Sequence, residues 1–283
     1  MDKDFVLLDG AVGTILWAKA KEQVPVWRYN IEQPEIVSEL INEYRAAGSG
    51  IILSNTFSAN GPSLKGSGYT VEQVVRSAME LAHDALDGTN TKIALDVGPL
   101  TGLLKPFGKI SDSEAEEIFT EQIEAGVKGK PDIIFLETFM DLKMMRIAAK
   151  IAAKHDLPLF CSFSFVKTAA GKGARTMMGD SVDKILEGLK EFRPAAVGMN
   201  CSAGPEMALP VIKEFSEKAD VPLIYKPNAG QPTMEGGSEF DFMTFACDVA
   251  EAAELPGVKY IGGCCGSGPK YIEALCKKMQ IKK

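Results

Sequence analysis

Histidine is nearly absent from this chain: His83 and His155 are the two in 283 residues. Both fall inside stretches with helical periodicity, so neither is assigned to a metal centre. Basic residues are outnumbered, 31 Lys and Arg against 38 Asp and Glu, which leaves a net charge of −7 and a pI near 5.1. A protein that neutralises a phosphate backbone needs a basic face, so this balance argues against nucleic-acid binding. No apolar run approaches the length of a transmembrane helix. The N-terminal residues Met1-Asp2-Lys3-Asp4-Phe5 lack the basic start and apolar core of a secretory leader. The expectation is a cytoplasmic protein with no membrane or nucleic-acid partner. Low-complexity linkers are missing too, so residues 1–283 are expected to form one domain.

Cysteine is present, but not as a disulfide framework. Six cysteines at irregular spacing, in a chain that is 46% hydrophobic and 24% charged, read as thiols or metal ligands. Two are adjacent, in Gly262-Gly263-Cys264-Cys265-Gly266, directly after the apolar run 258–261. Neighbouring residues on an extended strand point to opposite faces, so both sulfurs reach one metal only where the chain leaves regular β geometry. The flanking glycines are expected to supply that bend, because they tolerate backbone angles that other residues avoid. A third sulfur is offered by Cys201, in Gly198-Met199-Asn200-Cys201-Ser202, which ends another apolar run. Thiolates are soft ligands that suit zinc, and three protein ligands with one open position is the pattern of a catalytic zinc site. The competing readings are plain burial of each thiol and a disulfide between Cys264 and Cys265. Cys161 falls in a strand, and Cys247 and Cys276 fall in helices. None is an obvious fourth ligand of the closed, structural kind of site.

Apolar runs and amphipathic stretches alternate along the whole chain. Short apolar runs predict strands at 5–8, 51–53, 93–95, 133–136, 159–165, 195–199, 223–225 and 258–261. Helical spacing predicts helices at 34–47, 70–86, 111–127, 141–154, 181–192, 204–219, 240–253 and 269–279. Thr70, Ser111, Asp141 and Ser181 stand at helix starts, and Ser111 with Glu114 resembles a capping box. Residues 167–179 and 226–238 read as long loops, of which 167–179 and 230–238 are polar candidate lids over a site. The strand runs are continuous rather than alternating, which marks a parallel sheet buried on both faces. Eight such units predict a (β/α)8 barrel, a TIM barrel, whose active site lies at the C-terminal rim of the strands.

Polar residues gather at that rim. Asp9 follows the first strand, Asn55 and Thr56 the second, Asp96 ends the third, and Glu137 follows the fourth. Cys201 follows the sixth, Asn228 the seventh, and Cys264 and Cys265 the eighth. A carboxylate at the end of an apolar strand is costly unless it is paired, which favours a functional role for Glu137. Asp9 and Asn228 by themselves read as turn residues, and Asp96 carries no specific role. A zinc bound by three thiolates is electron-rich and suited to holding a substrate thiol as a reactive thiolate. The carboxylates could receive an ammonium group, and backbone N–H groups in residues 10–14 a carboxylate. An amino acid bearing a thiol fits both.

The set Asp9-Gly10-Ala11-Val12-Gly13-Thr14, Glu137-Thr138, Gly198-Met199-Asn200-Cys201 and Gly262-Gly263-Cys264-Cys265-Gly266 resembles the zinc-dependent homocysteine S-methyltransferases over essentially the whole chain. Gly98-Pro99, Lys105-Pro106-Phe107-Gly108 and Pro227-Asn228-Ala229-Gly230 are most similar to the homocysteine-binding domain of cobalamin-dependent methionine synthase. The resemblance implies a (β/α)8 barrel in which Cys201, Cys264 and Cys265 bind Zn2+ and the homocysteine sulfur takes the open position. It implies that Asp9 and Glu137 hold the amino group, and that Ala11, Val12, Gly13 and Thr14 hold the carboxylate. It implies further that Asn228 can occupy the zinc before substrate arrives. The reaction implied is methyl transfer to homocysteine, a step of methionine biosynthesis. No Asp-x-His-x-x-Gly cobalamin signature occurs in the sequence, so the methyl donor is expected to be a separate molecule. A methylated corrinoid protein is the preferred donor, with S-methylmethionine, S-adenosylmethionine or a betaine as alternatives. A thiol- or zinc-binding module without turnover, and redox chemistry at Cys264 and Cys265, are the readings from other classes.

Overall fold

The computed structural model describes residues 4–168, 173–202, 204–230 and 240–281. Eight parallel strands form one sheet: β1 (Val6–Leu7), β2 (Ile51–Leu53), β3 (Lys92–Val97), β4 (Ile133–Phe139), β5 (Leu159–Phe163), β6 (Ala196–Asn200), β7 (Leu223–Lys226) and β8 (Val258–Ile261). They run in sequence order around the sheet, with β8 paired to β1. Every junction except β1–β2 is a ladder of parallel pairs. The β1–β2 seam is closed by single bonds instead. Gly50 donates its N–H to Leu7 O at 2.8 Å, and Leu53 donates its N–H to Asp9 Oδ2 at 2.8 Å. A buried backbone donor needs a partner, and here a side chain stands in for the missing strand. This is the (β/α)8 barrel that the alternation predicts.

The helices form where capping and periodicity place them. Pro34–Ala47 buries Val37, Leu40, Ile41, Tyr44 and Ala47 on one face and stops at Gly48, whose φ of 111° ends it. Thr70 and Gln73 form a reciprocal capping box at the start of Val71–Leu86. The side chains of Ser111, Asp141 and Ser181 each cap their helices. Among the described residues no helix is long and apolar enough to cross a membrane.

Two hydrophobic layers result. The larger lies between the sheet and the helices. The smaller fills the barrel: Leu8, Ile51, Leu53, Ala94, Ile133, Phe135, Phe160, Ala196 and Ile224. Side chains alternate across a strand, so the next inward positions toward the C-terminal rim follow by steps of two. They are Asp96 after Ala94, Glu137 after Phe135, Ser162 after Phe160, Asn200 after Ala196 and Gly198, and Lys226 after Ile224. All five are buried. An apolar plug thus carries a polar floor above it.

The structure departs from the sequence reading at several places, among them short helices at Tyr29–Glu32 and Gly61–Leu64. A helix, Gly13–Ala20, begins inside the loop after β1; its apolar spacing is short and lacks a capping side chain, so it gave no signal. Residues 167–179 are not all loop: Val166–Lys167 pairs with Ala174–Arg175 as an antiparallel hairpin. Lys226 belongs to β7 rather than to the loop after it, and it is 1% exposed. The remainder of the expected 226–238 loop lies mostly outside the described residues.

Candidate active site

The site forms where the loops after β1, β6, β7 and β8 meet. Pairing of β1 with β8 brings Asp9 beside the cysteine pair: Gly263 donates its N–H to Asp9 O at 3.1 Å. Ser267 stitches these two loops together. Its carbonyl accepts from Ala11 N–H at 2.8 Å and from the Tyr44 hydroxyl at 3.2 Å, while its own hydroxyl donates to Cys264 O at 2.6 Å. The loop after β7 is zipped to the same pair. Cys264 donates its N–H to Pro227 O at 2.9 Å, and Ala229 donates to Cys265 O at 2.9 Å.

The glycines act differently from expectation. Of those framing the cysteines, Gly266 is the one with a left-handed backbone, at φ 79°. Gly262 and Gly263 are required by close approach instead. A Cβ on Gly262 would stand 2.6 Å from Asp9 O, and one on Gly263 would stand 2.0 Å from Ser267 Oγ. The bend is therefore held by packing against the first loop. Cys201 itself is left-handed, at φ 48°, and so is Thr138, at φ 64°. For a β-branched residue that is a strained conformation. Asn200 holds Thr138 in place, and Cys201 is held by Ser164, whose hydroxyl donates to Cys201 O at 2.8 Å. Asn200 Oδ1 accepts from Thr138 N–H at 3.0 Å and from the Ser162 hydroxyl at 2.8 Å. Its amide donates to Thr138 Oγ1 at 2.6 Å and toward Cys264 Sγ at 3.7 Å.

Cys201, Cys264 and Cys265 converge as a group, with all three sulfurs within 4.8 Å of one another. Cys201 and Cys265 sulfurs are 3.5 Å apart, and all six cysteines of the chain are free thiols. Sulfurs at ~2.3 Å from a tetrahedral zinc stand roughly 3.8 Å apart, so the trio has the spacing of a zinc site. Its electrostatics agree. Hydrogen bonds from Cys201 and Cys264 hold the Cys265 thiol down to about 3. Cys201 pulls Cys264 down, but contact with Cys265 and burial outweigh it and leave Cys264 at about 12. Cys201 is driven up by its bonds to the other two. By themselves the three support a single thiolate; a divalent cation is the charge that lets all three ionise together. Asn228 lies between the two residues that bond the cysteine pair, and its Oδ1 is buried without a partner. Such an orphaned amide oxygen, on a loop bonded to the cysteine pair, is of a type that suits a metal.

Beside the sulfurs lies a cavity of about 390 Å³, lined by Asp9 to Thr14, Asp96, Glu137, Thr138, Lys226 and the three cysteines among others. Its floor holds a buried ion triad. Lys226 Nζ donates to Glu137 Oε1 at 2.7 Å and to Asp9 Oδ1 at 3.1 Å. Burial disfavours the lysine charge, but Glu137 and Asp9 outweigh it and hold the ammonium above its ordinary range. Burial lifts Glu137 to about 7 against the pull of Lys226. Burial, then Glu137 beside it, pushes Asp96 well above the usual carboxylate range. Asp9 is raised by burial, with Lys226 and the Leu53 N–H pulling the other way. On the opposite side, the helix Gly13–Ala20 begins at the cavity with no side-chain cap, and Thr14 Oγ1 is buried without a partner. The first N–H groups of a helix carry partial positive charge and suit an anion.

The structure thus brings together Asp9, the Ala11–Thr14 segment, Glu137 and the three cysteines. It spends others internally: Asn55 Nδ2 is taken by Val26 O and Asn30 Oδ1, Thr56 Oγ1 by Asp96 O, and Ala11 N–H by Ser267 O. Sequence reasoning missed Lys226 and Asn200. The signal was available in the alternation: each stands an even number of residues above a barrel-filling residue, so each had to point inward.

The family model for homocysteine S-methyltransferase matches residues 6–279. The chain belongs to the homocysteine S-methyltransferase family. As a homocysteine S-methyltransferase it shares its fold with the Escherichia coli homocysteine methyltransferase MmuM. The metallated form of that enzyme superposes with a TM-score of 0.81 at 21% identity, over 98% of this chain and 96% of that one. The oxidized form gives 0.81 at 20% identity, again over 98% and 96%. The apo form gives 0.75 at 22% identity, over 98% and 96%. At these identities the likeness carries the fold. In this homocysteine S-methyltransferase, Gly263→Ala is expected to lower zinc affinity about tenfold or more, because the new methyl displaces Ser267 from the Cys264 carbonyl. Competition with a chromogenic chelator measures it, and unchanged affinity would show that Ser267 does not hold Cys264.

Proposed function

We propose that the protein transfers a methyl group from a separate donor to the sulfur of homocysteine, giving methionine, with Zn2+ held by Cys201, Cys264 and Cys265. The observation that carries this reading is the convergence of three sulfurs on one side of a cavity whose floor is acidic and buried. Zinc bound there lowers the pKa of a substrate thiol and keeps it as a thiolate at neutral pH. The chain's own residues do the rest. The carboxylates of the floor, Glu137 among them, receive the ammonium group. The uncapped N–H groups of Gly13 and Thr14, with the Thr14 hydroxyl, receive the carboxylate. Holding both ends of the amino acid aims its sulfur at the donor. The sulfur attacks the methyl carbon; the new S–C bond forms as the methyl–donor bond breaks, and that electron pair stays with the donor.

Before substrate arrives, Asn228 Oδ1 would be a further donor to the metal from this chain. The buried, unpartnered state of that atom supports this reading. Motifs shared with the methionine synthase branch favour a methylated corrinoid protein as donor over S-methylmethionine, S-adenosylmethionine or a betaine. The test is turnover: zinc-loaded protein with L-homocysteine and each donor in turn, methionine being quantified. Methionine from the corrinoid donor alone is the expected result. Methionine from a small donor alone would overturn the donor assignment, and none from any donor would overturn the reaction.

A further inference from the structure

Three carboxylates line the floor of the cavity, Asp9, Asp96 and Glu137, with one lysine among them. Their hydrogen bonding is unequal. Both oxygens of Asp9 are engaged within the protein: Oδ1 by Lys226 Nζ at 3.1 Å and Oδ2 by the Leu53 N–H at 2.8 Å. Lys226 is in effect a built-in ammonium, fixed where a substrate's amino group would otherwise meet Asp9. Glu137 gives one oxygen to Lys226 at 2.7 Å; among the described residues no hydrogen bond reaches the other. Asp96 is 5% exposed, and among the described residues its buried Oδ1 has no partner. Asp96 pairs in register with Phe135 on the neighbouring strand, so Glu137, two residues further on, points inward from the same face diagonally above it.

A buried carboxylate oxygen without a partner is a costly feature that the fold alone does not explain. The charge balance has the same shape: three potential anions against one cation leave room for one more positive group. Burial is the main cause that raises both Asp96 and Glu137, and Lys226 offsets only part of it.

We propose that the α-ammonium of the substrate is received by Asp96 and Glu137, while Asp9 acts only through Lys226, which it anchors. This assignment rests on the homocysteine reading above and makes Asp96 a substrate-binding residue. Lys226 becomes the residue that directs the ammonium away from β1 and toward β3 and β4. The acceptor class that follows is an α-amino acid thiol, in preference to a thiol carboxylate of equal length.

The test compares two ligands that differ only in the ammonium: L-homocysteine and 4-mercaptobutanoate. Their binding to the zinc-loaded protein is measured by calorimetry for wild type and for Asp96→Asn. The variant is expected to bind L-homocysteine about tenfold or more weakly, the scale of losing a hydrogen bond to a charged group, and 4-mercaptobutanoate within about twofold of wild type. Thermal unfolding of Asp96→Asn is expected at or above the wild-type temperature, since an unpartnered buried carboxyl is removed. Asp96→Ser is read in the same way if the asparagine variant folds poorly. Equal weakening of both ligands, or no weakening of either, overturns the proposal while leaving the homocysteine reading intact. Failure of the wild type to bind L-homocysteine at all removes the reading and the proposal together.

Discussion

Cys264→Ser is expected to lose stoichiometric zinc and to lower methyl transfer to homocysteine by about a thousandfold or more. The trio spans no more than 4.8 Å, and among the described residues no other cysteine, histidine or carboxylate joins that group. Removing one sulfur leaves two, and a serine hydroxyl stays protonated at neutral pH where a metal-bound thiol does not. The loss is not shared by the other cysteines. Cys161 is buried in β5 and Cys247 is exposed on a helix, so Cys161→Ser and Cys247→Ser should keep one zinc per chain. Metal analysis after dialysis, beside turnover with homocysteine, decides it. Full zinc in Cys264→Ser, or its loss in Cys247→Ser, would place the metal elsewhere.

Lys226→Met is expected to destabilise the fold by about 3–5 kcal/mol, the range for breaking a buried ion pair from one side. The lysine is 1% exposed and neutralises two carboxylates that are themselves buried. Methionine fits the volume and supplies no charge. Asp9 and Glu137 would then keep their protons in the folded state at pH values where the unfolded chain has released them. The sign follows: the folded variant binds more protons than the unfolded one above the ordinary values of 3.8 and 4.5, so its stability falls as pH rises. Below about pH 4 both states hold their protons and the deficit shrinks. Urea melts at pH 4 and pH 8 measure both magnitude and slope. A deficit equal at the two pH values would mean that the lysine serves packing, through its place over the Phe135 ring, rather than charge.

The same contrast between charge and placement separates what was legible from what was not. The barrel could be read because each strand is a continuous apolar run and each helix carries its own cap and stripe, as at Thr70 and in Pro34–Ala47. The cysteine trio was legible because Cys-Cys between glycines has no ordinary packing purpose. Lys226 was read as the first residue of a loop because a lysine after Leu223, Ile224 and Tyr225 resembles a strand end meeting water. Its burial depends on Asp9 and Glu137, which lie 217 and 89 residues away in the chain. Asn200 was hidden for a related reason: its partners Thr138, Ser162 and Cys264 come from three other segments.

Residue identity and spacing alone determined the fold class, the family resemblance and which sulfurs could bind metal, since periodicity and ligand chemistry are local properties of the chain. Which carboxylate is free and which is already held was decided only in three dimensions. That follows from barrel closure, which sets Lys226 of β7 between the ends of β1 and β4 and, among the described residues, leaves Asp96 Oδ1 of β3 without a hydrogen-bond partner. Such pairings between distant strands have no periodicity to announce them, because their energy arises only when burial removes water from all the charges at once.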